Sequence, residues 1–120
     1  MKIRSRKAKG RRLQNWVRDE LLSLFNNLSQ DDISCAIMGE SGVDIKLSPK
    51  ARKLIPYSIE CKNKETFKGI YDILKQSKHN SKLNLEPIAV IKMNKVEPLV
   101  IVDAKVFFKL VRDCLLYTSD

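Results

Sequence analysis

Two carboxylates and a lysine within the stretch "GESGVDIKLSPKARKLIPYSIECKN", residues 39–63, are the side chains of this chain best suited to chemistry. Asp44 follows a glycine-bearing turn, and Glu60 and Lys62 stand two apart in a run of β-forming residues. Side chains two apart on a strand share a face. Glu60 and Lys62 are therefore neighbours, while Ile59, Cys61 and Asn63 point the other way. The stretches "VDIKLS" and "LIPYSIECK" are joined closely enough to pair antiparallel, which sets Asp44 opposite Glu60 to Lys62. Mg²⁺ takes oxygen ligands and is held by one or two carboxylates plus a substrate phosphate. A lysine beside it stabilises charge that develops during phosphodiester hydrolysis. The plainer alternative is a solvated sheet face. Serine or histidine chemistry is poorly supported, because nothing ties the single histidine, His79, to a nucleophile.

"Gly42-Val43-Asp44" followed by "Ile59-Glu60-Cys61-Lys62" resembles the PD-(D/E)XK nuclease superfamily, with Val43 where the family name has proline. The resemblance implies a metal-dependent DNA endonuclease with Mg²⁺ or Mn²⁺ as cofactor. In it, Asp44 and Glu60 are metal ligands, Cys61 offers a backbone carbonyl, and Lys62 is the catalytic lysine. Small size, an N-terminal helix and the "GESGVD" turn are similar to archaeal-type and phage Holliday-junction resolvases. That likeness implies branched DNA as substrate, a role in DNA recombination, and a phage or prokaryotic origin. It also implies Glu20 as the carboxylate that completes the site, Ser41 as a turn serine near phosphate, and Gln76 as a glutamine near the site. Helical spacing independently puts Glu20 among Leu13, Trp16, Val17 and Leu24, where a buried carboxylate needs a partner. An edge glutamate reaching solvent is the alternative. Glu40 reads as a solvated turn residue, and His79, Asn80 and Asn84 as a polar helix end.

The elements that must position these residues read as a helix over 10–28 and strands over 33–38, 43–48 and 54–62. A helix over 66–80, strands over 87–93 and 98–102, and a helix over 104–116 follow. Pro49 to Lys53 reads as a basic connection in which Arg52 and Lys53 are candidate phosphate contacts. Phe67, Ile70, Tyr71 and Leu74 form the expected inner face of the second helix. Val106, Phe107, Leu110, Val111 and Cys114 do so for the last, with Asp103 as its N-cap. Trp16 and Tyr71 are expected in the core. The order αβββαββα makes an α/β domain, a mixed sheet flanked by helices. By the family resemblance it is a restriction-endonuclease-like core.

The net charge of +9 is concentrated at one end. Residues 1–18 hold eight of the 23 basic residues and no acidic one. Residues 1–9 read as a basic arm ahead of a single domain over 10–120, and Arg4, Arg6, Lys7, Lys9, Arg11 and Arg12 as DNA contacts. An anionic membrane surface fits less well, since the arm has no large apolar residue beyond Met1 and Ile3 to insert. A solubilising tail is the third reading. The three cysteines, Cys35, Cys61 and Cys114, have no CxxC spacing, so zinc is not expected, and a reducing, cytoplasmic setting fits. Each is expected in the core. No apolar run approaches a membrane span, and no signal-peptide pattern is evident. Resolving a junction takes two nicks on opposite strands, so a homodimer is expected, with the apolar "FFKLVRDCLLY" as its candidate contact. A nicking, repair or homing enzyme of the same fold, and a non-catalytic DNA-binding protein, are the rival readings.

Overall fold

The computed structural model describes residues 3–37, 40, 42–67 and 69–118. Its elements are α1 (Ile3–Leu24), β1 (Ile33–Cys35), β2 (Ile45–Leu47), α2 (Pro49–Leu54), β3 (Tyr57–Lys64), α3 (Ile70–Asn80), β4 (Glu86–Met93), β5 (Leu99–Ile101) and α4 (Ala104–Thr118). The chain is thus a mixed α/β protein whose strands run both parallel and antiparallel and are flanked by helices.

β4 is the centre of a three-stranded sheet, parallel to β3 and antiparallel to β5. Its run "IAVI" is apolar without alternation because both faces are covered. Val90 belongs to the cluster packed under α1 with Leu13, Val17, Ile59 and Cys61. Ala89 and Ile91 pack with Ile73 of α3 on the opposite face. The parallel pair needs a crossover, and α3 provides it.

β1 and β2 form an antiparallel pair of their own, with Cys35 opposite Ile45. The expected antiparallel partnership of "VDIKLS" with "LIPYSIECK" is replaced by this pairing. β3 spends its length on β4 instead, in register from Tyr57–Glu86 to Lys64–Met93. The residue just before β2 bonds to β3, where Asp44 N–H donates to the Ile59 carbonyl at 3.3 Å.

Further expectations change. Residues 49–53, expected as a basic connection, form α2 together with Leu54, expected at the start of a strand. Ser48 caps it by accepting from Ala51 N–H, and Pro49 opens the first turn, where its missing N–H costs nothing. Residues 3–9, expected as part of a basic arm, are helical. α1 already begins at Ile3, as a stretch of Arg, Lys and Ala favours helix. α3 turns Ile73, Leu74 and Ser77 inward and leaves Tyr71 90% exposed. The small Ser77 lets the helix approach the sheet closely enough for its hydroxyl to donate to the Ile88 carbonyl at 3.2 Å.

α4 follows Asp103, whose carbonyl accepts from Phe107 N–H and whose carboxylate pairs with Lys78 at 2.7 Å. Of its expected inner face, only Val106 is buried, while Phe107, Leu110, Val111 and Cys114 are exposed. Among the described residues, no helix is long and apolar enough to cross a membrane.

Candidate active site

Asp44 stands where the two strand pairs meet. Gly42, at φ +100°, takes a backbone conformation that residues with a Cβ rarely adopt, and so turns the chain into Val43 and Asp44. The Asp44 carbonyl then accepts from Ala36 N–H at 2.8 Å, and its own N–H donates to β3. Its carboxylate accepts from the Cys61 N–H at 2.7 Å, standing in for a missing strand neighbour.

Glu60 lies on the α3 face of β3 and is only 4% exposed. A buried carboxylate needs partners. Asn80, at the end of α3, supplies one, its side-chain amide donating to Glu60 Oε1 at 2.9 Å. Burial, and then the negative charge of Asp44 beside it, push the Glu60 carboxyl up to about 7, while the Asn80 bond and the positive charge of Lys62 act in the opposite sense. Two carboxylates this close repel when both are ionised. A divalent cation between them would relieve that repulsion, so Asp44 and Glu60 are a fitting oxygen pair for Mg²⁺ or Mn²⁺. Among the described residues, no third histidine, cysteine or acidic side chain joins them.

The Cys61 side chain points to the α1 face, where burial pushes its thiol up. Its peptide is held through the N–H that Asp44 accepts. Lys62, half-buried, shares the Glu60 face.

A cavity of about 220 Å³ opens beside Asn80, lined also by Ser58, Lys46, Arg52 and Lys82. The Ser58 hydroxyl is buried without a hydrogen-bond partner. Arg52 lines this cavity from α2 while donating to the Leu47 carbonyl at 2.9 Å. Lys53 is solvent-exposed on α2. Glu40 pairs with Lys46 rather than with the carboxylates.

Glu20 does not join the site. It is exposed on α1 and borders a narrow cavity with Val17, Ile59 and Val90, on the opposite face of β3 from Glu60. The buried stripe of α1 runs through Leu13, Gln14 and Val17. Treating Gln14 as polar surface shifts the expected stripe towards Glu20. Gln76 is exposed on α3, one turn before Asn80. Asn80 reads in the sequence as a helix-end residue; its spacing four after Gln76 on the same helix is the signal that points to it. Trp16, expected in the core, is 47% exposed. Arg6, Lys7, Arg11 and Arg12 are exposed along α1, and Lys9 is half-buried. Ser41 and the Arg4 side chain lie outside the described residues.

No family model, curated protein or solved structure matches this chain, so the site stands on its own geometry.

Proposed function

We propose that this chain is a divalent-metal-dependent DNA endonuclease built on a restriction-endonuclease-like core of the PD-(D/E)XK type. The observation that carries the reading is the pairing of buried Glu60 with Asp44, with Lys62 on the same strand face. The Asp44 and Glu60 carboxylates would hold Mg²⁺ or Mn²⁺, which would supply charge neutralisation at the phosphoryl group under attack. Asn80 fixes Glu60 and the Cys61 peptide fixes Asp44, so neither carboxylate has to be ordered when substrate arrives. Lys62 offsets negative charge on the phosphodiester. Lys46, Arg52 and Lys82 around the adjoining cavity favour a polyanion there.

Branched DNA as the preferred substrate, a homodimer as the working form, and an intracellular role in recombination belong to the same proposal. Its test is cleavage of four-way junction, nicked and linear duplex DNA with and without Mg²⁺. Metal-dependent cutting that Glu60→Gln abolishes is expected. Equal cutting by Glu60→Gln removes the reading.

A further inference from the structure

A large cavity lies on the other face of β3 from Glu60. It measures about 610 Å³, within the range of roughly 300–1,000 Å³ usual for ligand sites. Lys9, Arg12 and Trp16 of α1 form one wall, and Asn63 of β3 with Lys92 and Lys95 at the end of β4 form the other. Four cationic side chains thus face one carboxylate, that of Glu97. Among the described residues, none of the four is engaged in an ion pair. Lys9 donates instead to the Asn94 side chain and Lys92 to the Met93 carbonyl. Asn63 spends its amide N–H on the Lys9 carbonyl at 3.2 Å and leaves its Oδ1 without a donor. Unpaired cations gathered in a concavity leave a positive field that an anion would neutralise.

Trp16 decides which anion. It is the only tryptophan of the chain and it is half exposed. Arg12 precedes it by one helical turn, so both reach the same mouth. An aromatic face set among cations binds a base by stacking and the flanking phosphates by charge. A duplex keeps its bases stacked on one another, whereas an unpaired nucleotide offers a free face.

We propose that this cavity is a binding site for an unpaired nucleotide of a single-stranded nucleic-acid segment, its base on Trp16 and its phosphates on Lys9, Arg12, Lys92 and Lys95. Asn63 and Glu60 are three residues apart on β3, about 10 Å along the strand. A strand turning round the end of β3 reaches both faces. The proposal deepens the DNA reading above by naming single-stranded segments as part of the substrate, and it does not depend on the metal chemistry.

The test is run in EDTA, where no cleavage occurs, by titrating the full chain with a labelled 12-nucleotide oligothymidylate and with a duplex of equal length. Anisotropy reports binding, and the fluorescence of Trp16 reports occupancy of the cavity. The expected result is quenching by the single strand that tracks its anisotropy, with little quenching by the duplex. Trp16→Ala should weaken single-strand binding roughly tenfold or more and leave duplex binding within about twofold. Lys92→Ala with Lys95→Ala should flatten the log–log salt slope by about 0.7 for each phosphate no longer neutralised. Saturating anisotropy with unchanged indole fluorescence overturns the proposal without need of any variant. So does equal quenching by duplex, or by polyglutamate as an acidic-peptide probe. Loss of metal-dependent cleavage in Glu60→Gln is a separate result, so the two readings fail independently.

Discussion

The side-chain amide of Asn80 reaches from the last turn of α3 to Glu60 Oε1 on β3, 2.9 Å away. It is an uncharged partner for a buried carboxylate beside acidic Asp44, whose negative charge, together with burial, outweighs the positive charge of Lys62. The pair is therefore left short of positive charge.

That shortage makes stability depend on pH in a defined direction. Glu60 is raised from an ordinary 4.5 to about 7. Its contribution to stability is full below about pH 4.5 and is lost as pH rises through about 7. Without metal, thermal scans should show this loss across the window, on the order of 3 kcal/mol. Mg²⁺ at pH 7.5 should restore it, and Glu60→Gln should remove both the pH dependence and the Mg²⁺ effect. A Tm that ignores Mg²⁺ in the wild type counts against a metal at this pair.

Asn80→Ala removes the bond that favours the ionised carboxylate. The Glu60 carboxyl then rises further, and the acid limb of the pH–rate profile should move to higher pH. The stability cost should be about 1–2 kcal/mol. A profile that stays in place while stability falls would reduce Asn80 to a structural role.

Arg6, Lys7 and Arg11 lie exposed on α1 and make no ion pairs among the described residues. Replacing all three with alanine should weaken duplex binding without regard to sequence and flatten the salt slope by about 0.9 for each phosphate left unneutralised. Deleting residues 1–9 is a poorer experiment, because the Lys9 carbonyl and side chain are bonded to Asn63 and Asn94. An unchanged slope in the triple variant would mean these side chains do not touch DNA.

α4 carries Phe107 and Phe108 edge to face at 5.7 Å, and both are exposed, as are Leu110 and Val111. If that surface joins two copies, light scattering at micromolar concentration should give twice 13.8 kDa, and Phe108→Glu should halve it while leaving helix content unchanged. A monomeric wild type would remove paired nicking of a junction by a dimer.

The parts of this fold that are legible in the sequence are those fixed by local pattern. The apolar run 87–93 announces a strand covered on both sides, and β4 spans Glu86–Met93. The two-residue spacing of Glu60 and Lys62 places them on one face. α2 is equally local, written in Ser48 and Pro49, but its six residues are too short to show a helical stripe. Which side of a helix meets the sheet is not legible in this way. That depends on residues that break the pattern, such as buried Gln14 on α1 and Ser77, at 0% exposure, on α3. Asn80 is hidden for a related reason, since its partner is 20 positions away and only the crossover brings them together.

Asp44 has a second consequence, which concerns how the protein breathes. Through its carbonyl it holds Ala36, and through its N–H and carboxylate it holds β3, so among the described residues the hydrogen-bonded seam between the two sheets passes through this one residue. Any fluctuation that swings the β1–β2 hairpin outward carries one carboxylate away from the other. The amides of Ala36, Asp44 and Cys61 should then exchange with solvent as one cooperative unit, at a lower free energy than the β3–β4 ladder behind them. The site would lose its paired carboxylates at temperatures where the core is still intact, so heat would disarm the protein before it unfolds it.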